Sequence, residues 1–218
     1  MSELWTAITV RLYNLWDFVR VVFHYYRNTQ FARVDLSLLM SYFWKSPYRI
    51  AREFDAQPYG ETPLVTMEKI ARMAHITEED IVLELGSGRG RCVFWLAFFI
   101  RCRVIGIEYN PVLVAKAKEL QARFQVPNVD FIIQDMFTAS FKEATVIYLY
   151  GILLSDSEIQ KLCVAFSKLK RDVRIITISY SLQEYCPEVF RVIDSCDVSF
   201  PWGTTKAYLH KEFAKGGT

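Results

Sequence analysis

The sequence predicts a doubly wound α/β domain built on a seven-stranded sheet, mostly parallel with a C-terminal antiparallel hairpin, preceded by an N-terminal helical extension. Three observations carry that prediction. Short apolar runs, beginning with Ile81-Val82-Leu83, alternate with helical patterns, as strands buried on both faces of a parallel sheet require. The first run empties into a turn with glycine at 86, 88 and 90, and a helical pattern follows from about Arg91 to Ile100. Residues 189–198 and 204–212 flank Phe200-Pro201-Trp202-Gly203 and read as the hairpin. With 218 residues, 52% of them hydrophobic, the chain can build a core of that size, which excludes general disorder.

Residues 1–56 form the extension. Large apolar and aromatic residues dominate 4–27, and the polar groups Arg11, Asn14, Asp17, Arg20 or His24, and Arg27 fall on one narrow helical stripe. Charges at 11, 17 and 20 interrupt the run too often for a membrane-crossing helix. Glu3 where a basic leader would stand, with no small-residue cleavage site, argues against a signal peptide. A second apolar segment, Leu36–Trp44, ends in Lys45-Ser46-Pro47. Two readings stand for residues 4–44: a helical cap packed on the domain or on a second copy of the chain, or an amphipathic anchor lying in a membrane interface. A cytoplasmic protein, peripheral to a membrane under the second reading, is the expected setting.

The domain spans 57–218. Gln57 to Pro63 is a loop by its proline and glycine content, and Thr62-Pro63 has the form of an N-cap and first helical position for the helix through Leu64, Met67, Ile70, Ala71 and Ala74. The second strand, Arg103 to Ile107, ends in Glu108; Asn110-Pro111 starts a helix that Val126-Pro127-Asn128 breaks. The third strand, 129–133, ends in Gln134-Asp135-Met136. The fourth covers 144–150, Ser155 to Glu158 has capping-box spacing for a helix to about Lys170, and 173–179 is the fifth.

The glycine turn presents backbone N–H groups to a ligand. It departs from a dinucleotide fingerprint, because the sixth position is Arg91 rather than glycine. Glu84, just before the turn, would repel a pyrophosphate and welcome an ammonium group. Glu108, roughly twenty residues after Gly86, stands where an acid binds ribose hydroxyls. A nucleoside without phosphates but with a charged amino acid fits those features, and S-adenosyl-L-methionine is such a ligand. The five cysteines are never spaced as CxxC and read as reduced, mostly buried thiols. No metal-ligand set is visible among His24, His75 and His210. A net charge of +2 does not by itself argue for nucleic acid.

These residues resemble the class I S-adenosylmethionine-dependent methyltransferases, whose Rossmann-like seven-stranded sheet the chain is expected to share. Glu84-Leu85-Gly86-Ser87-Gly88-Arg89-Gly90 is similar to their glycine motif. Tyr59-Gly60-Glu61-Thr62 is similar to the loop of the non-SET lysine methyltransferases, of the disruptor-of-telomeric-silencing and ATP synthase c-subunit types. The resemblance covers roughly residues 57–180 and implies roles position by position. Glu84 with Gly86, Ser87, Gly88 and Gly90 would hold the methionine end of the cofactor, Glu108 its ribose, Asp135 its adenine amino group, with Met136 beside the ring. Thr62 would close over the methionine, and Tyr59, Glu61 and Tyr150 would serve catalysis at the substrate channel. Tyr150-Gly151-Ile152 replaces the Asn-Asn-Phe of the histone enzymes, which turns the reading away from a histone. The implied function is N-methylation of a protein lysine. A small-molecule or RNA methyltransferase and a membrane-peripheral scaffold with an inactive fold are the alternatives. Absence of an Asn/Asp-Pro-Pro-Tyr run lowers an adenine or glutamine N-methylation reading, and Glu84 with Arg91 disfavours a nucleotide-binding oxidoreductase.

Overall fold

A computed structural model describes residues 3–55, 59–169 and 172–213, the side chains of 3–11 and 14 excepted. The N-terminal layer is α1 (Glu3–Tyr25), α2 (Thr29–Ser41) and α3 (Pro47–Asp55). The domain follows as α4 (Leu64–Met73), β1 (Ile81–Leu85), α5 (Arg91–Phe99), β2 (Arg103–Glu108), α6 (Pro111–Phe124) and β3 (Val129–Ile133). It continues through β4 (Val146–Leu149), α7 (Asp156–Phe166), β5 (Arg174–Ile178), α8 (Leu182–Tyr185), β6 (Phe190–Phe200) and β7 (Gly203–Glu212). One sheet runs β3-β2-β1-β4-β5-β7-β6, with β1 to β5 parallel and β7 antiparallel to both its neighbours. This is the expected seven-stranded, Rossmann-like sheet.

Strand order reverses at β1, which pairs β2 on one side and β4 on the other, so the crevice for a ligand opens beyond its carboxyl end. Leu85 is in register with Ile107 and with Leu149. The residues that follow, Gly86, Glu108 and Tyr150, therefore emerge side by side at that edge.

The local signals resolve unevenly. Asn110 caps α6, accepting from the backbone N–H of Val112 and Leu113, and Ser155 with Glu158 forms the capping box of α7. The helix α7 ends at Phe166, short of Lys170, which lies outside the described residues, as do Gln57 and Pro58. Thr62 does not cap α4: Pro63 takes the N-cap position without a side-chain bond. The Thr62 hydroxyl instead lies 2.5 Å from the hydroxyl of Tyr148, a fully buried phenol that needs a polar partner. The helix α3 was not anticipated from the pattern. Cys92, Cys102 and Cys163 are buried, and none of the five cysteines is bonded to another.

The N-terminal helices share the domain's core. Tyr25 meets the rings of Trp95 and Phe99 at 5.8 and 5.1 Å, and Phe31 meets Phe98 and Phe99 at 5.8 and 5.1 Å. Phe31, Val34, Asp35 and Leu38 form the buried face of α2, at helical spacing. The polar stripe divides: His24 on α1 and Arg27 just after it are exposed, but its acid turns inward. Asp17 is buried beside Val21 and Tyr25, whereas Leu12, Leu15, Trp16 and Phe23 are exposed; the side chains of Arg11 and Asn14 lie outside the described residues. Arg91, its side chain largely buried at the start of α5, faces Asp17. It makes two hydrogen bonds to Asp35, at 2.8 and 3.0 Å, and shares a cavity with Asp17. A buried guanidinium needs acids beside it. Among the described residues no helix is long and apolar enough to cross a membrane.

Candidate functional site

Two adjoining clefts open at the crevice beside β1. The larger, of about 310 Å³, is bounded by Glu108, Tyr109, Asp135, Met136, Phe137 and Leu154. The other, of about 160 Å³, is bounded by Tyr59, Gly60, Asn110, Tyr150, Ile152 and Leu153; Gly86 and Glu108 line both. Behind the 59–62 segment a cavity of about 20 Å³ holds Glu84, Ser87, Gly88 and Thr62.

The turn after β1 is held by the sheet itself: the N–H groups of Gly86 and Ser87 both donate to the carbonyl of Ile107, at 2.8 and 2.9 Å. Gly88 has φ +56°, and a Cβ there would lie 2.5 Å from the Tyr59 hydroxyl, so backbone and tyrosine can meet only without a side chain. Glu108 closes the loop from the other side. Its carboxylate accepts from the N–H of Gly88 and from that of Asn110, each at 2.9 Å, leaving the remaining lone pairs to face the clefts. Glu108→Ala therefore strips two buried N–H groups of their acceptor, each worth about 1–3 kcal/mol. A lower melting temperature together with at least a roughly ten-fold loss of S-adenosylhomocysteine affinity is expected, read by thermal melting and calorimetry.

Glu84 is the electrostatic centre. Burial, then the charges of Glu61 and Glu108, push its carboxyl up to about 8. Its Oε2 is buried without a hydrogen-bond partner. An unpartnered buried carboxylate in an acidic neighbourhood is a site for a cation, and the ammonium of a methionine moiety supplies one. The residues present fit S-adenosyl-L-methionine: Glu84 for the ammonium, Glu108 for ribose, Asp135 and Met136 on the wall of the larger cleft for adenine.

Tyr59, half-buried on the cleft wall, donates to Glu61 at 2.7 Å and accepts from the backbone N–H of Arg89 at 3.2 Å. Arg89 in turn donates from Nη2 to Glu61 at 2.6 Å. Burial, then the Glu61 charge, holds the Tyr59 phenol well above its usual range, so it stays protonated. Tyr150 also stays a phenol by burial; its oxygen accepts from Trp202 Nε1 at 2.9 Å. Gly90 lines none of these cavities. The space its Cβ would fill is taken by Phe131, so it serves the packing of α5 on the sheet.

Sequence reasoning missed Arg89 as the partner of Glu61, and Tyr109, Leu153 and Leu154 on the cleft walls. Position alone marked Tyr109, next to Glu108; the cation inside the glycine motif was the available signal for Arg89.

The model of the ANTKMT methyltransferase domain family matches residues 84–189. A protein-lysine N-methyltransferase of Saccharolobus islandicus is 25% identical over 141 residues, covering 63% of this chain and 86% of that protein. An RNA methyltransferase of Salinibacter ruber, solved with S-adenosyl-L-homocysteine, superposes with a TM-score of 0.60 at 28% identity, covering 72% of this chain and 96% of that one. The chain belongs to the class I S-adenosylmethionine-dependent methyltransferases. Its cofactor is S-adenosyl-L-methionine. Sterol 24-C-methyltransferase of Saccharomyces cerevisiae is 29% identical over 112 residues, 51% of this chain. A histone H3 lysine-79 methyltransferase of Cryptococcus neoformans is 26% identical over 171 residues, 70% of this chain. This methyltransferase spans only 29% and 26% of the length of those two relatives.

Proposed function

We propose that this methyltransferase transfers the methyl group of S-adenosylmethionine to the ε-amine of a lysine in a protein. The observation that carries the reading is the aromatic wall beyond β4. Tyr150 stacks on Phe200 and Phe200 on Trp202, each at 5.2 Å, with the Trp202 N–H bonded to the Tyr150 oxygen. No carboxylate stands at the end of β4, where Tyr150-Gly151-Ile152 follows Leu149. An uncharged aromatic wall at Tyr150, backed by Phe200 and Trp202, suits a long aliphatic side chain that must lose its proton. The protein-lysine relative from Saccharolobus islandicus, matched over most of its length, supports the same class.

A lysine amine of pKa ~10.4 is protonated in water. Packing against that wall disfavours the ammonium, and the proton leaves to solvent. The neutral nitrogen then attacks in line: an N–C bond forms, the S–C bond breaks, and S-adenosylhomocysteine leaves. Because the Tyr150 oxygen already accepts from Trp202, its own O–H and its second lone pair are free to orient the amine. Tyr59, Glu61 and Thr62 close the methionine side, and Arg89 fixes the Glu61 carboxylate.

Incubation of cell extract with methyl-labelled cofactor, followed by mass spectrometry, is expected to find the label on lysine. Tyr150→Phe should lower kcat roughly ten-fold while leaving cofactor affinity within two-fold, since it removes one hydrogen bond made near the reacting amine. Label recovered on RNA, or on sterol and lipid instead of protein, would sink the lysine reading.

A further inference from the structure

We propose that the outer face of the N-terminal helices docks on an anionic lipid bilayer, with the helices lying in the headgroup plane. Along α1, Leu12, Leu15, Trp16 and Phe23 recur at helical spacing and face outward, Trp16 56% and Phe23 71% exposed. The segment at the end of α2 also presents Met40, Phe43 and Trp44 to solvent, the last 91% exposed. Both helices bury their opposite faces on the layer formed by α4, α5 and α6. Their outer faces therefore point away from the sheet together.

Between residues 12 and 52 the exposed charge is all positive. The acids there are Asp17 and Asp35, and both are buried. Arg27, Arg33, Lys45, Arg49 and Arg52 are exposed. Arg20 holds its guanidinium 4.3 Å above the Trp16 ring, a cation and an aromatic at one depth. Glu53 pairs with both Lys45 and Arg49, so that cluster still carries net positive charge. Cations interleaved with large apolar side chains match the boundary between anionic headgroups and acyl chains. A nucleic acid would answer the cations and leave Leu12, Phe23 and Trp44 in water. The inward turn of Asp17 leaves α1 with an apolar outer stripe, and the helix is not apolar enough to cross a bilayer, so it lies on the surface.

The full chain is mixed with phosphatidylcholine vesicles, with and without phosphatidylserine, and sedimented. About ten-fold more binding to the anionic vesicles is expected, falling as salt is raised. The triple variant Trp16→Glu, Phe23→Glu, Trp44→Glu should abolish binding. Arg27→Glu with Arg33→Glu should weaken it about five-fold per charge removed. Affinity for S-adenosylhomocysteine within two-fold of the parent establishes that each variant is folded. Quenching of tryptophan fluorescence by brominated lipid in the unaltered chain gives a readout free of any substitution, and it should be lost in Trp44→Phe with Trp16→Phe. Failure to sediment with either vesicle, or sedimentation unchanged in the triple variant, overturns the proposal. So does a chain that ignores vesicles yet binds an RNA oligonucleotide, or dimerises in sedimentation equilibrium, through the same residues.

Discussion

Glu84→Gln is expected to make the cofactor-free protein more stable at pH 8, by on the order of 3 kcal/mol, while weakening S-adenosylmethionine about 100-fold or more. The sign follows from the direction of the shift. Burial and the nearby Glu61 and Glu108 raise the Glu84 carboxyl to about 8 in the folded chain, whereas the unfolded chain ionises it at the usual carboxyl value. The folded state thus binds the extra proton, and the stability this residue leaves intact below about pH 4 is lost progressively as the pH climbs to 8. A neutral amide removes that loss. It also removes the charge that would meet the cofactor's ammonium, and a buried ion pair with one partner missing binds poorly.

Two measurements check the prediction. Thermal melts between pH 4 and 8 should show the variant gaining on the parent as pH rises, and calorimetry with S-adenosylhomocysteine should show its binding nearly gone. In the parent, the thermal stabilisation given by the cofactor should grow with pH. A variant that melts below the parent at pH 8, or that binds the cofactor as tightly, would show that Glu84 does not sit as an unpaired buried acid facing the ammonium.

Asp35→Ala should cost about 3–5 kcal/mol, a fall in melting temperature of about 10 °C. Asp35 is 1% exposed and answers Arg91 with both oxygens, while Tyr26 donates to the same carboxylate at 3.1 Å. Removing it leaves a largely buried guanidinium at the start of α5 without its hydrogen-bonding acid, Asp17 and Glu61 lining the same cavity. Because Arg91 directly follows Gly90, the loop that carries Gly86 and Gly88 loses its anchor on the N-terminal layer, and cofactor affinity should fall with stability. Asp35→Leu with Arg91→Met replaces the pair by apolar groups of similar length and should recover most of the loss. Single and double variants compared by denaturant unfolding give the coupling. A loss under about 1 kcal/mol for Asp35→Ala, or a double variant no better than the single, would count against the buttress.

The sequence by itself determined the sheet, the glycine turn, the acid at the end of β2 and the caps of α6 and α7. All of these are local: strand, turn and helix start occupy adjacent residues, and a cap is a bond between neighbours two or three positions apart. Tertiary structure alone decided the partners. Arg89 and Glu61 are 28 residues apart, Tyr150 and Trp202 are 52, and Arg91 and Asp35 are 56, and no periodicity announces such meetings. Thr62 shows the same limit from the other side: its local pattern fits a cap, but the buried hydroxyl of Tyr148 takes its bond. The orientation of α1 was settled in that way too. Its pattern defines an apolar and a polar side for either packing, and only the folded chain sets Asp17 inward, facing Arg91, and leaves the aromatic side facing out.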